Sequence, residues 1–386
     1  MRNVRDIFLV FLKLGLTSFG GPVAHLGYFR SEFVERRGWL DEAAYAELVA
    51  LAQFLPGPSS SQVGMSIGLL RGGIAGMFAA WFAFTMPSVL LLILFALAAG
   101  HLAAGVIQGL MLVAVAVVAQ AVMQMARALT PDGPRIAIAV AACALLLFFP
   151  VALAQIAVLV AGGLLGWLVL ASPPPLILYP ALAVPVSRRM GTVLIILFFV
   201  LLGLLPLLAA HGGEALRLAD SFYRAGALVF GGGHVVLPLL EADLVPQGLI
   251  ARETFFAGYG AAQAMPGPLF SFAAFVGFAG VGGGLGHAAL CLVAMFGSSF
   301  LLVPGVLPFW VRLSTFTSMR AAVMGLNAAV VGLLGAALIT PVFTSTVRDG
   351  VDLAVVAAVF AVLLWGRVPV WLVVLAAGAV GFILGC

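Results

Sequence analysis

Long apolar runs with few polar interruptions set the pattern of this chain. The longest runs meet or approach the roughly 20 residues that an α-helix needs to cross a bilayer. They lack the period-two alternation of a membrane strand, so we expect helices. The long runs cover residues 74–99, 106–125, 192–210, 284–309 and 321–340, and shorter ones cover residues 136–149, 151–171, 351–364 and 368–384. The pattern predicts an all-α polytopic membrane protein.

Composition places the chain in the lipid bilayer and excludes several other classes. Hydrophobic residues make up 64% of the chain and charged residues 8%, against about a quarter charged in globular proteins. The net charge of +4 comes from scattered residues with no dense basic tract, which gives no support to nucleic-acid binding. Cys143 and Cys291 lie in apolar runs and Cys386 is the last residue. We therefore expect neither a metal site nor a cofactor.

Two motifs that break helices occur twice. Phe-Gly-Gly-Pro at residues 19–22 recurs as Phe-Gly-Gly-Gly at 230–233, and Gln-Phe-Leu-Pro-Gly-Pro at 53–58 recurs as Gln-Ala-Met-Pro-Gly-Pro at 263–268. Interrupted hydrophobic segments at matching places in two halves are the best sequence indication of a transporter's binding site. The repeats predict a first unit at 1–172, a Pro-rich linker with one connecting helix at 173–212, and a second unit at 213–386.

Arginine positions predict that the two units have opposite topology. If residues 74–99 cross the membrane, five arginines fall on one side, whereas the intervening loop at 100–105 has neither Lys nor Arg. The positive-inside bias puts the arginines in the cytoplasm. The single run at 192–210 then carries the chain outward, so the second unit starts on the other face. The five arginines are Arg71, Arg127, Arg135, Arg188 and Arg189.

The segments around each break are too short to span the membrane. Residues 7–19 and 23–35 are about thirteen residues each, which at ~1.5 Å per residue reach part-way through a ~30 Å core. They predict a re-entrant hairpin with its tip at residues 20–22. A second hairpin is predicted from 42–55 and 59–70. We expect each unit to hold two broken or re-entrant hairpins followed by transmembrane helices.

Helix ends at mid-membrane suggest an anion site. A helix N-terminus presents free N–H groups and about half a positive charge. Ser hydroxyls and Gln amides near the breaks can donate to the same anion, although they could instead satisfy backbone groups freed by the breaks. The second copy has fewer hydroxyls, so we expect an asymmetric site. Candidate substrate-binding residues are Gly20, Gly21, Val23, Gln53, Gly57, Ser59, Ser60, Ser61, Gly231, Gly232, His234, Gln263, Gly267 and Ser271.

Each unit also carries one cation ahead of its first break. Lys13 precedes Phe19 by six residues, and Arg224 precedes Phe230 by six. Intramembrane charges are costly and mark pathways by default, so both are candidates to attract the anion. The alternative for Lys13 is that its long side chain reaches the membrane surface.

Two carboxylates match in the same frame. Glu32 and Asp243 each follow a first break, and a buried carboxylate there could couple protons to transport. The alternative for Glu32 is a salt bridge with Arg30, Arg36 or Arg37.

The motifs at residues 19–22 and 53–58, with Phe29-Arg30 and Trp39-Leu40 between them, resemble the chromate ion transporter family in its long two-domain form. The resemblance covers almost the whole chain. It implies two homologous halves of opposite topology in the bacterial inner membrane, export of chromate, chromate resistance, competition by sulfate, and dependence on the membrane potential or proton gradient. Gly233 and His234 stand where the first half has Pro22 and Val23.

Several functions are compatible with the sequence. The leading hypothesis is a secondary transporter that exports chromate by alternating access, as a uniporter, symporter or proton antiporter. A sulfate or other oxyanion carrier, or an anion channel, is the alternative. An intramembrane reductase would need a redox carrier, and the sequence has no haem-binding Cys pair or dinucleotide strand-turn-helix; we expect no enzyme. A structural scaffold would not explain duplicated breaks with matching cations. The sequence does not define the oligomeric state, and a homodimer is one candidate because it is common for inverted-repeat folds.

Overall fold

The computed structural model describes residues 2–171, 184–230 and 232–384, and these residues form helices and loops without strands. The helices are α1 (Arg2–Thr17), α2 (Gly21–Arg30), α3 (Glu42–Phe54), α4 (Ser59–Ala99), α5 (Ala104–Leu129), α6 (Gly133–Phe148), α7 (Ala152–Val169), α8 (Arg188–His211), α9 (Glu214–Leu228), α10 (Val236–Leu244), α11 (Arg252–Ala262), α12 (Phe272–Ala279), α13 (Leu285–Val306), α14 (Trp310–Leu313), α15 (Thr317–Ala337), α16 (Thr344–Thr346), α17 (Gly350–Trp365) and α18 (Val370–Leu384). The prolines of the predicted linker from 173 to 180 lie outside the described residues.

The predicted membrane-spanning runs are helical. Among the described residues, five stretches are long and apolar enough to cross a bilayer: Ser59–Ala99, Ala104–Leu129, Arg188–His211, Leu285–Leu313 and Thr317–Thr346. The four shorter apolar runs correspond to α6, α7, α17 and α18. The protein is therefore an all-α, multi-pass membrane protein, as the pattern of apolar residues predicts.

The longest helix, α4, consists of two arms. Gly72 and Gly73 have non-helical backbone angles, with φ of 63° at Gly73, a value that glycine adopts readily. A side-chain carbon at Gly68 would stand 2.4 Å from the carbonyl oxygen of Gly76, so the arms at 59–71 and 74–99 lie against each other. The second half breaks at the corresponding place, between α12 and α13. The short helix predicted at 59–70 and the helix predicted at 74–99 are both present.

The helices around the first breaks differ from the predicted segments only at their ends. Helix α1 begins at Arg2 instead of residue 7, because the polar first turn is helical too. Helix α2 begins at Gly21, with Pro22 in its first turn, where the missing N–H of proline costs nothing. It continues as a π-helical turn over Ser31–Arg36. In the second half, the 3₁₀ turns Gly233–Val235 and Leu269–Ser271 lead into α10 and α12.

Close helix crossings occur at matching places in the two halves. Helix α1 packs along α4, and α9 packs along α13. A side-chain carbon at Gly15 would stand 2.7 Å from the carbonyl oxygen of Phe84, and one at Gly226 would stand 2.1 Å from that of Met295. Position 15 is as far from 226, and 84 as far from 295, as the first Phe-Gly-Gly motif is from the second. The two crossings are therefore equivalent positions of the repeat. Small residues therefore permit the same backbone approach twice.

Each of the two long central helices packs on helices of the other half. Helix α5 packs on α17 and α18, whereas α15 packs on α6 and α7. A side-chain carbon at Gly109 would stand 2.3 Å from the carbonyl oxygen of Ala377, and one at Gly325 would stand 2.3 Å from that of Gly162. Each half therefore completes the packing of the other half's long helix.

Candidate functional site

The breaks of the two halves are hydrogen-bonded to each other. The N–H of Gly57 donates to the carbonyl oxygen of Val229, 2.7 Å away, and the N–H of Gly267 donates to that of Ser18, 2.8 Å away. Ser18 and Val229 immediately precede Phe19 and Phe230 of the Phe-Gly-Gly motifs. Each Pro-Gly-Pro break is thus joined to the Phe-Gly-Gly break of the other half, which brings all four motifs to the centre of the protein.

Glycine is required at both Pro-Gly-Pro turns. Gly57 has a φ of 121° and Gly267 a φ of 96°, a region that residues with a side chain rarely adopt. A side-chain carbon at position 57 would also lie 2.5 Å from Nε2 of Gln62, and one at 267 would lie 3.1 Å from the carbonyl oxygen of Phe84. The sequence keeps glycine where the chain must both reverse and touch a neighbour.

A first cavity of about 390 Å³ opens beside these turns. It takes residues from three of the four breaks and from the long helices α5 and α15. The described residues that line it include no Asp, Glu, Lys or Arg, so its polar groups are neutral side chains and backbone. The lining residues are Gly20, Gly21, Pro22, Val23, Leu26, Ala52, Gln53, Leu55, Gly57, Ser59, Ala121, Gln124, Met125, Ala128, Leu129, Gly232, Gly233, His234 and Asn327.

A second cavity, of about 150 Å³, adjoins the first and reaches the fourth break. Gly20, Gly21, Pro22, Gln124 and His234 line both cavities. The second cavity is completed by Val117, Gln120, Ala262, Gln263, Met265, Gly267, Leu269 and Val370. The four breaks predicted to converge do so, around two neighbouring spaces separated by a few shared residues.

The chemistry of the lining favours an anion. The first turns of α2 and α4 lie at the cavity wall, where free N–H groups and the helix dipole attract negative charge. Gln53, Gln124 and Gln263 add amide groups. Hydrogen bonds from neutral donors to an ionised group are stronger than those between neutral groups. The cavities therefore offer donors to an oxyanion without supplying a counter-charge.

The predicted hydroxyl groups divide into one that lines a cavity and three that do not. Ser59 lines the first cavity. Ser60 Oγ lies 3.2 Å from Nδ1 of His25, and Ser61 Oγ is buried with no partner in the described part of the chain. Ser271 Oγ donates to the carbonyl oxygen of Pro268, 2.7 Å away. Ser271 thus hydrogen-bonds a backbone carbonyl freed by the break. This is the structural role expected from the sequence as the alternative to anion binding.

The two predicted cations lie apart from both cavities. Arg224 Nη2 lies 2.6 Å from Oδ2 of Asp220 and 3.0 Å from Oδ2 of Asp243. Arg224 and Asp243 line a separate space of about 20 Å³. Lys13 is exposed on α1. Arg224 therefore neutralises two carboxylates, and any attraction of an anion by either cation would act at a distance.

The salt bridge expected for Glu32 is present. Its Oε2 lies 3.0 Å from Nη1 of Arg36, and its Oε1 lies 2.6 Å from Nε of Arg37. Arg30 pairs instead with Glu35 and Glu42. Proton coupling through Glu32 or Asp243 stays a prediction. Gly231 lies outside the described residues.

Three polar residues of the cavities were missed by the sequence reasoning, namely Gln120 and Gln124 on α5 and Asn327 on α15. Gln120 Nε2 donates to the carbonyl oxygen of Leu363, 3.1 Å away. Asn327 Oδ1 is buried and unpartnered within the described residues. The signal was available, because two glutamines one helical turn apart in an apolar helix share a face.

Comparison with known proteins gives consistent matches over most of the chain. A model of the chromate transporter family matches residues 5–167 and 216–382, and each stretch contains one copy of both break motifs. A chromate transport protein of Pseudomonas aeruginosa is 28% identical, over 98% of this chain and 92% of its own. One of Cupriavidus metallidurans is 26% identical, over 87% of this chain and 82% of its own. An uncharacterized transporter of Methanocaldococcus jannaschii is 26% identical, over 98% of this chain and 94% of its own. No solved structure gives a significant match.

Proposed function

Because this chain belongs to the chromate transporter family, we propose that it is a secondary transporter that exports chromate across the bacterial inner membrane and thereby confers chromate resistance. The observation that carries the proposal is the meeting of four helix breaks around two uncharged, donor-rich cavities. Irregular backbone at membrane depth is tolerated where it is buried in protein or lines a cavity. A tetrahedral dianion is the kind of ligand that converging N–H groups and amides accommodate.

An uncharged site suits a carrier better than a tight binder. Each hydrogen bond to a charged group contributes about 1.5–3 kcal/mol, so several together offset part of the desolvation of a dianion. A paired arginine or lysine would add Coulomb attraction, which grows strong in a medium of low dielectric constant. Neutral donors let the anion enter and also leave, which transport requires.

The two halves differ in a way that supports alternating access. On one side, α11 closes directly on α5, and a side-chain carbon at Gly260 would stand 2.1 Å from the carbonyl oxygen of Leu110. On the other side, the first cavity includes Ala52 of α3 and Asn327 of α15. Inverted-repeat transporters move one repeat against the other around a fixed site. We infer that exchanging the open and closed arrangements of the repeats gives the second state of the cycle.

The open side is assigned to the cytoplasm. The first cavity follows α5 from Ala121 to Leu129, toward the end of the helix that carries Arg127. The positive-inside bias places that end in the cytoplasm. The arrangement then corresponds to an inward-open carrier, ready to receive chromate from the cell.

The membrane potential contributes to the driving force for export. An inside-negative potential favours exit of negative charge by about 2.3 kcal/mol per charge per 100 mV, which doubles for a dianion. Uniport, proton exchange and symport are all compatible with this driving force. A sulfate or other oxyanion carrier is the alternative function, because sulfate is also a tetrahedral dianion and would meet the same donors.

The test is potential-driven chromate flux in proteoliposomes, with sulfate as competitor and with pH varied. The matched variants are Gln53→Ala and Gln263→Ala, with Gln155→Ala as control, because Gln155 lies on α7 outside both cavities. Loss of one hydrogen bond to a charged ligand, about 1.5–3 kcal/mol, should raise the half-saturating chromate concentration roughly 10- to 100-fold. The control should transport like the wild type.

The outcomes separate the hypotheses. Sulfate flux with little chromate flux would transfer the proposal to the alternative substrate. Normal transport by both site variants would show that the cavities are not the binding site. Loss of Cr(VI) from the assay without its appearance across the membrane would indicate reduction, and the transporter assignment would then fail.

A further inference from the structure

His234 occupies the place where the two cavities meet. It lines the larger and the smaller cavity, together with Gln124 and the Gly20–Pro22 turn. An anion that moves between the cavities passes its imidazole ring. The first half has Val23 at the corresponding position of its Phe-Gly-Gly break. The junction therefore owes its only ionisable side chain, among the described lining residues, to the second half.

Tyr259 holds this imidazole from the protein side. Its hydroxyl oxygen lies 2.8 Å from Nδ1 of His234. The tyrosine is fully buried on α11, and its ring packs edge-on against Phe272, with centroids 5.7 Å apart. The side chain of Gln263 is a further hydrogen-bonding neighbour of this hydroxyl. The Tyr259–His234 pair is thus a fixed contact between the helix behind the site and the side chain at the junction.

We propose that Tyr259 is a positioning residue that fixes the tautomer of His234. A neutral imidazole has one N–H and one lone pair. If the tyrosine hydroxyl donates to Nδ1, the hydrogen of the imidazole resides on Nε2, and the ring presents an N–H donor to the junction. Without Tyr259, both tautomers become available, and the one with a lone pair on Nε2 opposes an anion. This inference rests on the proposed anion site and adds a specific donor to it.

The tautomer is measured without any transport assay. Protein labelled with ¹⁵N-histidine is studied in lipid by solid-state NMR at mildly alkaline pH, where an ordinary imidazole is neutral. The chain has 5 histidines, and the signal of His234 is identified by its loss in His234→Gln. We expect the Nε2–H form in the wild type and a mixture in Tyr259→Phe. An Nδ1–H form in the wild type would overturn the proposal, whatever anion the protein carries.

Flux kinetics test the consequence. Tyr259→Phe keeps the ring and its packing, so the half-saturating chromate concentration should rise several-fold while the maximal rate changes little. Tyr223→Phe is the matched control, because Tyr223 is also buried and its hydroxyl donates to the carbonyl oxygen of Phe198, 3.0 Å away, outside both cavities. Equal effects of the two substitutions would refute a positioning role.

A double-mutant cycle locates the effect on His234. In the His234→Gln background, Tyr259→Phe should have no further effect on half-saturation, since the group that it positions is gone. An undiminished effect would mean that Tyr259 acts independently of His234, against the proposal. If the wild type moves no oxyanion at all, the proposed function fails, and the NMR measurement still decides the tautomer.

Discussion

The Pro-Gly-Pro turn of the first half and that of the second share a backbone but not their chemistry. Both glycines donate to a carbonyl of the opposite half, Gly57 to Val229 and Gly267 to Ser18. Beside the first turn, Gln62 Nε2 donates to the carbonyl oxygen of Pro56, 2.6 Å away, and to Ser299 Oγ, 3.1 Å away. The two copies therefore share the backbone structure of the break.

The neighbours of the second turn show where the halves specialise. Gly267 faces Ser88, which corresponds in sequence to Ser299 beside Gly57. Ser88 Oγ donates to the carbonyl oxygen of Thr85, 2.9 Å away, within its own helix. The second half instead places His234 and Tyr259 near its breaks. The two halves therefore share a backbone arrangement around the site but line it with different side chains.

The largest difference between the halves is expected at their matching cations. Arg224→Ala leaves Asp220 and Asp243, which both contact its guanidinium, without a counter-charge. Removing one partner of a buried ion pair costs about 3 kcal/mol or more. Lys13 is exposed, so Lys13→Ala should change stability little. The measurement is the thermal unfolding midpoint of each purified variant in the same detergent.

A conservative control sharpens this comparison. Arg224→Lys keeps the charge and should recover part of the lost stability, although it cannot reproduce the planar guanidinium contacts. Equal unfolding midpoints for Lys13→Ala and Arg224→Ala would contradict the structural role. Abolished flux in a stable Lys13→Ala protein would revive direct attraction of the anion by that lysine.

Alanine at either Pro-Gly-Pro glycine should be the next largest effect. The backbone strain of an alanine at positive φ costs of order 1–3 kcal/mol, and contacts with Gln62 or the Phe84 carbonyl add to it. Gly57→Ala and Gly267→Ala should both lower the unfolding midpoint and reduce chromate flux. Gly203→Ala, in α8, serves as control, because a side-chain carbon added there would meet nothing within 4 Å outside its own helix turn. A wild-type midpoint for either site variant would break the equivalence of the two turns.

The smallest expected difference concerns access to the two cavities. Gln53→Cys and Gln263→Cys place a thiol in the larger and the smaller cavity, in a background that lacks the native cysteines. A membrane-impermeant thiol reagent added to the cytoplasmic side should label position 53 several-fold faster than position 263. Reversed rates would assign the open side to the opposite face. Rates that become equal during chromate turnover would support exchange between two states.

Much of this architecture follows from sequence, since apolar length and glycine-proline breaks are local signals. The break at 56–58, the helix ends at Phe54 and Ser59, and the salt bridge of Glu32 were within reach of such reasoning. The pairing of Arg224 with Asp220 was also within reach, because the two residues lie four apart on one helix. The second partner of Arg224, Asp243, lies on α10 and comes close only through packing.

Residues contributed by the long helices were also beyond that reasoning. Gln124 and Asn327 lie far from any break in sequence, and only the packing of α5 and α15 brings them to the cavity. The pairing of Tyr259 with His234 likewise depends on how α11 packs beneath the first break of its own half. Tertiary contacts between distant segments have no local sequence signal. The duplicated motifs therefore predicted where the site lies but not which residues of the long helices line it.

The packing of α5 and α15 on helices of the other half has a consequence for the order in which the protein can fold during synthesis. As the chain leaves the ribosome, α5 is synthesised long before α17 and α18, against which it packs. Until those last helices are made, its glycine-lined face lacks the partners that it has in the folded protein. One copy of the repeated unit by itself would lack those partner helices, unless a second copy supplied them.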